Sequence, residues 1–213
     1  MDIFDTAAKL IRIEKEKGIG FTPEGWPRFE SWMFQKEIPE SILPYSHRRE
    51  ALLKEKTSIC FYEHDKYLYP FVNMSKLEAL ASELHKYNSF IGFDLSVFYD
   101  MLYPLQKFYI LMNLLVDIYL ALSGNRLIPN CRADQTGGQS YYAIFKDAPI
   151  VCIGTLGCVK NKTARRESIR SIFTIKEKLP NSAIIQYGPP LPKDLGISKI
   201  FKDYMTSKKG EKK

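Results

Sequence analysis

Hydrophobic and polar positions change period several times along this chain, and each change marks an element. Residues 5–17 (DTAAKLIRIEKEK) read as a short helix, ended by Gly18 and Gly20. From 21 to 44 the period is lost, and Pro23, Pro27, Pro39 and Pro44 alternate with Phe21, Trp26, Phe29, Trp32 and Phe34. Proline blocks regular ladders while aromatic rings favour burial, so this stretch reads as an arm or short helices laid across a domain.

Beyond it the rhythm is regular. TSICFYE (57–63) is a candidate strand, and YLYPF (67–71) either pairs with it or opens a loop. Ser75 and Glu78 form a capping box for a helix whose Leu77, Leu80, Ala81 and Leu84 share one face. SFIGFDLS (89–96) is apolar and then polar, as a buried strand running into a loop would be. A strongly apolar helix follows from about Leu105, with Pro104 at its start and Gly124 at its stop. RLIPNCR (126–132) is the next strand, then a Gly-rich loop at 134–140 and YYAIF, a short helix or strand. APIVCIGTLG (148–157) is a near-continuous apolar run that suits a parallel strand covered on both faces. Residues 161–179 predict a helix with Ile169, Ile172 and Phe173 inward, and SAIIQYG (182–188) the last strand. A short helix is expected from Ile197 onward.

Strands alternating with helices predict an α/β fold with right-handed crossovers and a mostly parallel sheet. The sheet is either open and doubly wound or a partial barrel, and an aromatic, proline-rich N-terminal arm accompanies it. One domain is expected over 1–206, with helix and arm in 1–56 and the strand–helix core in 57–206. Residues 207–213 are expected to form a basic flexible tail.

Composition narrows the classes. Aromatic content of 13% argues against disorder. No stretch approaches the roughly 20 apolar residues of a membrane span. Asp2 and Asp5 depart from the basic-then-apolar layout of a signal peptide, so a cytoplasmic protein without a membrane partner is expected. Cys60, Cys131, Cys152 and Cys158 form no C-x-x-C pair, and buried reduced thiols suit them better than zinc. No cofactor is called for. The net charge is +7, of which the tail contributes +3, and the remaining excess points to anionic partners.

In parallel α/β architectures ligands bind at the carboxyl ends of the strands. Here those ends carry Asp94 and Ser96, then Asn130 and Arg132 with Asp134, then Thr155 and Gly157 followed by Lys160, then Gln186, Tyr187 and Gly188. Each also serves as an ordinary cap, but four successive strands turning polar at one edge would build a shared depression. The segment 154–166 (GTLGCVKNKTARR) turns into a helix N-terminus, which favours anions. Gly154 and Gly157 let backbone approach a ligand. Lys160, Lys162, Arg165 and Arg166 surround the turn, and Arg170 extends a basic stripe, with a solvated helix face as the alternative. Neither nucleotide-binding glycine fingerprint is present.

The second basic cluster, HRREALLKEK (47–56), mixes signs and reads as a solvated helix face. His47, His64 and His85 fall away from the proposed strand ends, and His85 suits a helix-capping role. YEHD (62–65) is a polar turn in preference to a metal loop, and no G-x-S-x-G or H-E-x-x-H occurs. The catalytic candidates are therefore Asp94 as acid–base group with Asn130 and Thr155. Ligand-binding candidates are Arg132 as anion clamp, Gly154, Gly157, Lys160, Lys162, Arg165, Arg166, Arg170 and Tyr187.

FDLS (93–96), Pro104, Gln106 and Asn113, IPN (128–130) with Arg132, GTLG (154–157) and Tyr187-Gly188 carry a resemblance. In this order and spacing, residues 91–188 resemble a family of bacterial, archaeal and phage proteins, domain of unknown function 4417. Ala133 stands where the family usually has an aromatic residue. Members look like passengers of phages and mobile elements, which implies a setting and not a reaction. Three readings follow. The first is a phage or mobile-element protein binding a phosphate-bearing ligand, nucleic acid or nucleotide, at the carboxyl edge. The second is an enzyme on a small phosphorylated or nucleobase substrate using Asp94, and the third a module that inhibits or redirects a host protein through Trp26 and Trp32.

Overall fold

The computed structural model describes residues 2–98, 100–132, 136, 138–157, 162–192 and 195–210. Seven parallel strands form two short sheets that continue into one another. Strands β1 (Ser41–Pro44), β2 (Thr57–Cys60), β3 (Ser89–Ile91) and β4 (Leu127–Ile128) pair in sequence order, as do β5 (Ile150–Gly154), β6 (Ala183–Tyr187) and β7 (Lys199–Phe201). An isolated parallel bridge between Asn130 and Cys152 joins them, with Cys131 N donating to Cys152 O and Cys152 N to Pro129 O, both at 2.8 Å.

This order decides between the two sheet forms. A doubly wound sheet reverses its order at a switch point, whereas here every strand lies beside its sequence neighbours, as in a barrel. The inward side chains agree. Ile42, Cys60, Ile91, Ile128, Cys152, Ile185, Tyr187 and Phe201, drawn from all seven strands, form one buried cluster. The seam between β7 and β1 is tied by side chains. Lys199 Nζ donates to Pro39 O at 2.9 Å. Past the carboxyl ends, Tyr204 stacks on His47 at 3.8 Å and its hydroxyl donates to Glu50 at 2.7 Å.

The helices cover this sheet: α1 (Ile3–Glu16), α2 (Asp65–Leu68), α3 (Met74–Leu84), α4 (Tyr103–Leu122), α5 (Lys162–Lys178) and α6 (Tyr204–Gly210). Asp2 and Asp5 close a capping box on α1. By length and composition α4 is apolar enough to cross a membrane, against the expectation that no such stretch exists. Within the fold it is largely buried, and three of its buried residues are polar for a structural reason. Asp117 Oδ1 accepts from Phe93 N at 2.7 Å, and Asn113 Oδ1 accepts from Leu95 N at 2.9 Å. Gln106 Nε2 donates to the carbonyls of Phe98 and Met101, both at 3.1 Å. These amides and carboxyl replace a strand ladder for the chain leaving β3, which explains why FDLS is extended yet outside any sheet.

Several expectations are corrected. Part of the arm is β1, an edge strand, while Trp26, Phe29, Met33 and Phe34 pack into the main core as its aromatic content leads one to expect. Residues 65–72 form helical turns, neither the second strand nor the loop expected there. The cap of α3 is Asn73, whose side chain accepts from Ser75 N at 3.1 Å, so Ser75 lies inside the helix. Phe173 is 59% exposed, because Ser171, Ile172 and Ile175 take the inward face of α5. A strand, β7, precedes the terminal helix. Cys60, Cys131 and Cys152 are buried free thiols, as expected, while Cys158 lies outside the described residues.

Candidate functional site at the carboxyl edge

The extended exit of β3 carries Asp94 toward the end of β4, where Asn130 and Arg132 meet it. Asp94 Oδ1 accepts from Asn130 Nδ2 at 2.9 Å and from Arg132 Nη1 at 3.1 Å, and Oδ2 accepts from the same Nη1 at 3.1 Å. Asn130 is oriented from behind, since Tyr62 donates its hydroxyl to Asn130 Oδ1 at 3.0 Å. The Tyr62 ring stacks on Tyr187 at 5.5 Å. Its other neighbour is Gly154, where an added Cβ would stand 2.4 Å from the ring.

These groups line a cavity of about 900 Å³ at the carboxyl ends of β2, β3, β4 and β5. Its wall includes Glu63 and His64 after β2, Asp94 and Ser96 after β3, Asn130 and Arg132 after β4, and Gly154, Leu156 and Gly157 after β5. The first turns of α5 complete it through Thr163, Ala164, Glu167, Ser168 and Ser171, with Phe98 and Asp100 on the opposite loop. A volume of this size falls within the range of small-molecule sites, about 300–1,000 Å³.

Burial sets the electrostatics. It raises the Asp94 carboxyl above its ordinary range, and the Arg132 guanidinium and Asn130 amide pull it partly back. Burial likewise lifts the Tyr62 hydroxyl well above the usual phenol value and pushes the Cys152 thiol up to about 12, so both stay protonated. Asp117, behind the site, is raised well above the carboxylate range by burial, only partly offset by its bond from Phe93 N. Among the described residues, no three His, Cys, Asp or Glu side chains converge as a metal ion would require.

Asp94, Asn130, Arg132, Gly154 and Gly157 are thus brought together, as the strand-end rule predicts. Thr155 is not among them. Its buried hydroxyl donates to Pro189 O at 2.8 Å and holds the chain beyond β6, so a structural role replaces the catalytic one. Tyr187 is enclosed in the barrel interior, where its hydroxyl accepts from Tyr204 N at 3.1 Å. Lys162, Arg165, Arg166 and Arg170 lie on the exposed face of α5, outside the cavity wall, and Lys160 lies outside the described residues. Gly154 makes room for the Tyr62 ring, a different use of the small residue from the one its loop position implies. His64, past the end of β2 and at the N-cap of α2, lines the cavity, which the reading of YEHD as a polar turn did not foresee. Tyr62, Glu167 and Ser171 were also missed. TSICFYE gives no polar signal at its tyrosine, and helix periodicity does not say which face of α5 meets a cavity.

A family model described as domain of unknown function (DUF4417) matches residues 25–205, a longer span than the motifs alone cover. No curated protein and no solved structure matches the chain.

Proposed function

The chain belongs to the domain of unknown function (DUF4417) family, and we propose that its cavity holds a small polar molecule of nucleobase size on which Asp94 acts as acid–base group. The observation that carries this reading is the Asp94 carboxyl, pinned between Asn130 and Arg132 on the wall of the cavity. A raised carboxyl exchanges a proton with a ligand nitrogen or hydroxyl more readily near neutrality than an ordinary aspartate. Arg132 stabilises the carboxylate after the proton has left, and Asn130 keeps the carboxyl plane fixed.

The test is calorimetric titration with a panel of nucleobases and nucleosides. Saturable binding that Asp94→Asn and Arg132→Ala weaken, and that Arg166→Ala leaves intact, supports the pocket. If no compound in the panel binds, or if only Arg166→Ala weakens binding, the reading fails.

A second reading rests on a different observation. Lys162, Arg166 and Arg170 recur every four residues on the exposed face of α5, with Arg165 beside them, which favours a phosphate-bearing polymer there. Fluorescence anisotropy with single-stranded and duplex nucleic acid across a salt series tests it, and removing each contacting arginine should lower the salt slope by about one. Both readings are compatible with a phage or mobile-element setting. Capture of a host protein is supported only by Trp32, 43% exposed, because Trp26 is 3% exposed.

A further inference from the structure

The cavity wall has a second polar face, on α5, that the Asp94 cluster does not use. Glu167 and Ser171 lie one helical turn apart and both line the cavity. Among the described residues, Glu167 Oε2 and Ser171 Oγ are buried with no hydrogen-bond partner, and Glu167 Oε2 has only a 3.5 Å ion pair with Arg170 Nη1. The flanking hydroxyls show what Ser171 forgoes. Ser168 Oγ donates to Ala164 O at 3.0 Å, and Thr174 Oγ1 donates to Arg170 O at 3.2 Å. Such a bond to the preceding turn is the usual refuge of a helical hydroxyl. Leaving a buried polar group unbonded costs about 1–3 kcal/mol, so the unbonded Ser171 hydroxyl, beside a Glu167 oxygen held only by a long ion pair to the exposed Arg170, suits a group that arrives later.

The charge of the wall says what that group is. Glu63, Asp94, Asp100 and Glu167 line the cavity against Arg132 and His64, and the Arg132 guanidinium is already bonded to Asp94. Among the described residues, an anion entering here would meet an excess of carboxylates, whereas an N–H donor would find acceptors. We infer that Glu167, with Ser171 behind it, is the specificity element of the cavity and reads an N–H-bearing nitrogen group of the ligand, such as an exocyclic amine or amidine. The ligand end with N–H donors faces α5, and its reacting part faces Asp94. This inference rests on the proposed small-molecule pocket.

The test uses three pairs of nucleosides that differ by one amino group: guanosine and inosine, cytidine and pyrimidin-2-one riboside, adenosine and purine riboside. Binding to the full chain is measured by calorimetry, alongside the melting temperature of each variant. In at least one pair the aminated member should bind about tenfold or more tightly. Glu167→Gln should bring that pair close to parity, and Ser171→Ala should narrow the gap, both with the melting temperature preserved. Equal binding within every pair, or a preference that survives Glu167→Gln, overturns the inference. If both members bind equally and Asp94→Asn still weakens them, only the role of Glu167 fails and the pocket stands. If none of the six binds, the pocket reading fails and this inference fails with it.

Discussion

Tyr62 donates its hydroxyl to Asn130 Oδ1 at 3.0 Å, and this one bond decides which way the Asn130 amide faces. With the oxygen held by Tyr62, the amide nitrogen must point at Asp94. Tyr62→Phe frees the amide to turn and leaves Asn130 Oδ1 without its donor. The expected loss is about 1–2 kcal/mol of stability by denaturant titration, with weaker binding of any ligand that contacts Asp94. A variant as stable as the parent, with ligand binding unchanged, would show that the bond is incidental.

Gly154 sits where any side chain would strike the Tyr62 ring. Gly154→Ala must move the ring from its stack with Tyr187 or distort the end of β5. Overpacking of this kind costs about 1–3 kcal/mol. The near-ultraviolet circular dichroism should change together with the unfolding midpoint, and an unchanged aromatic signal would contradict the packing described.

The dependence of Asp94 on Arg132 is a matter of charge, so it should vary with pH. Burial already raises the folded-state value of Asp94, and Arg132 is the largest influence lowering it. Arg132→Ala therefore raises it further. Stability tied to a raised carboxyl is complete while that group is protonated in both states and is lost as pH rises through the folded-state value. The penalty of Arg132→Ala should be small near pH 4 and grow toward pH 8, to about 3–5 kcal/mol for an unpaired buried charge. Urea titrations at several pH values check this, and a penalty independent of pH would mean Arg132 acts through packing alone.

Glu14 tests the same physics away from the site. Its carboxyl is buried in α1, both oxygens lack a partner among the described residues, and burial raises it from 4.5 to about 9. The folded chain keeps that proton while the unfolded chain releases it, so stability is full below about pH 4.5 and falls as pH rises toward 9. The slope approaches about 1.4 kcal/mol per pH unit inside that window. Glu14→Gln should remove its share of that slope, leaving the contributions of Asp94 and Asp117, which run in the same direction. Thermal unfolding at pH 5.5 and 8.5 measures the difference, and a parent more stable at the higher pH would refute the buried acid.

What the sequence revealed of this architecture follows from how local each signal is. Helix α4 was legible from Pro104 to Gly124 because an apolar run between a proline and a left-handed glycine, here at φ +94°, is a local pattern. The cluster of Asp94, Asn130 and Arg132 was legible because parallel strands share one carboxyl edge. β1 was not, since four residues ending in Pro44 carry no period of their own and become a strand only beside β2. Thr155 looked like a site residue because its position matches the rule, and only the later return of the chain through Pro189 shows its hydroxyl engaged. The choice of Ser171 over Phe173 for the inner face of α5 likewise depends on a cavity whose other walls lie far away in sequence.

The interior of the curled sheet also makes the molecule its own clock. Cys60 and Cys152 lie inside it, Cys131 is buried at its rim, and burial raises all three thiols above their ordinary range. The curled sheet therefore offers an alkylating reagent almost no thiolate, and labelling must wait for strands to part. In a Cys158→Ser background, the rate at which the other three thiols react counts openings of the barrel. Cutting the Tyr204 clasp across the seam should make that clock run faster.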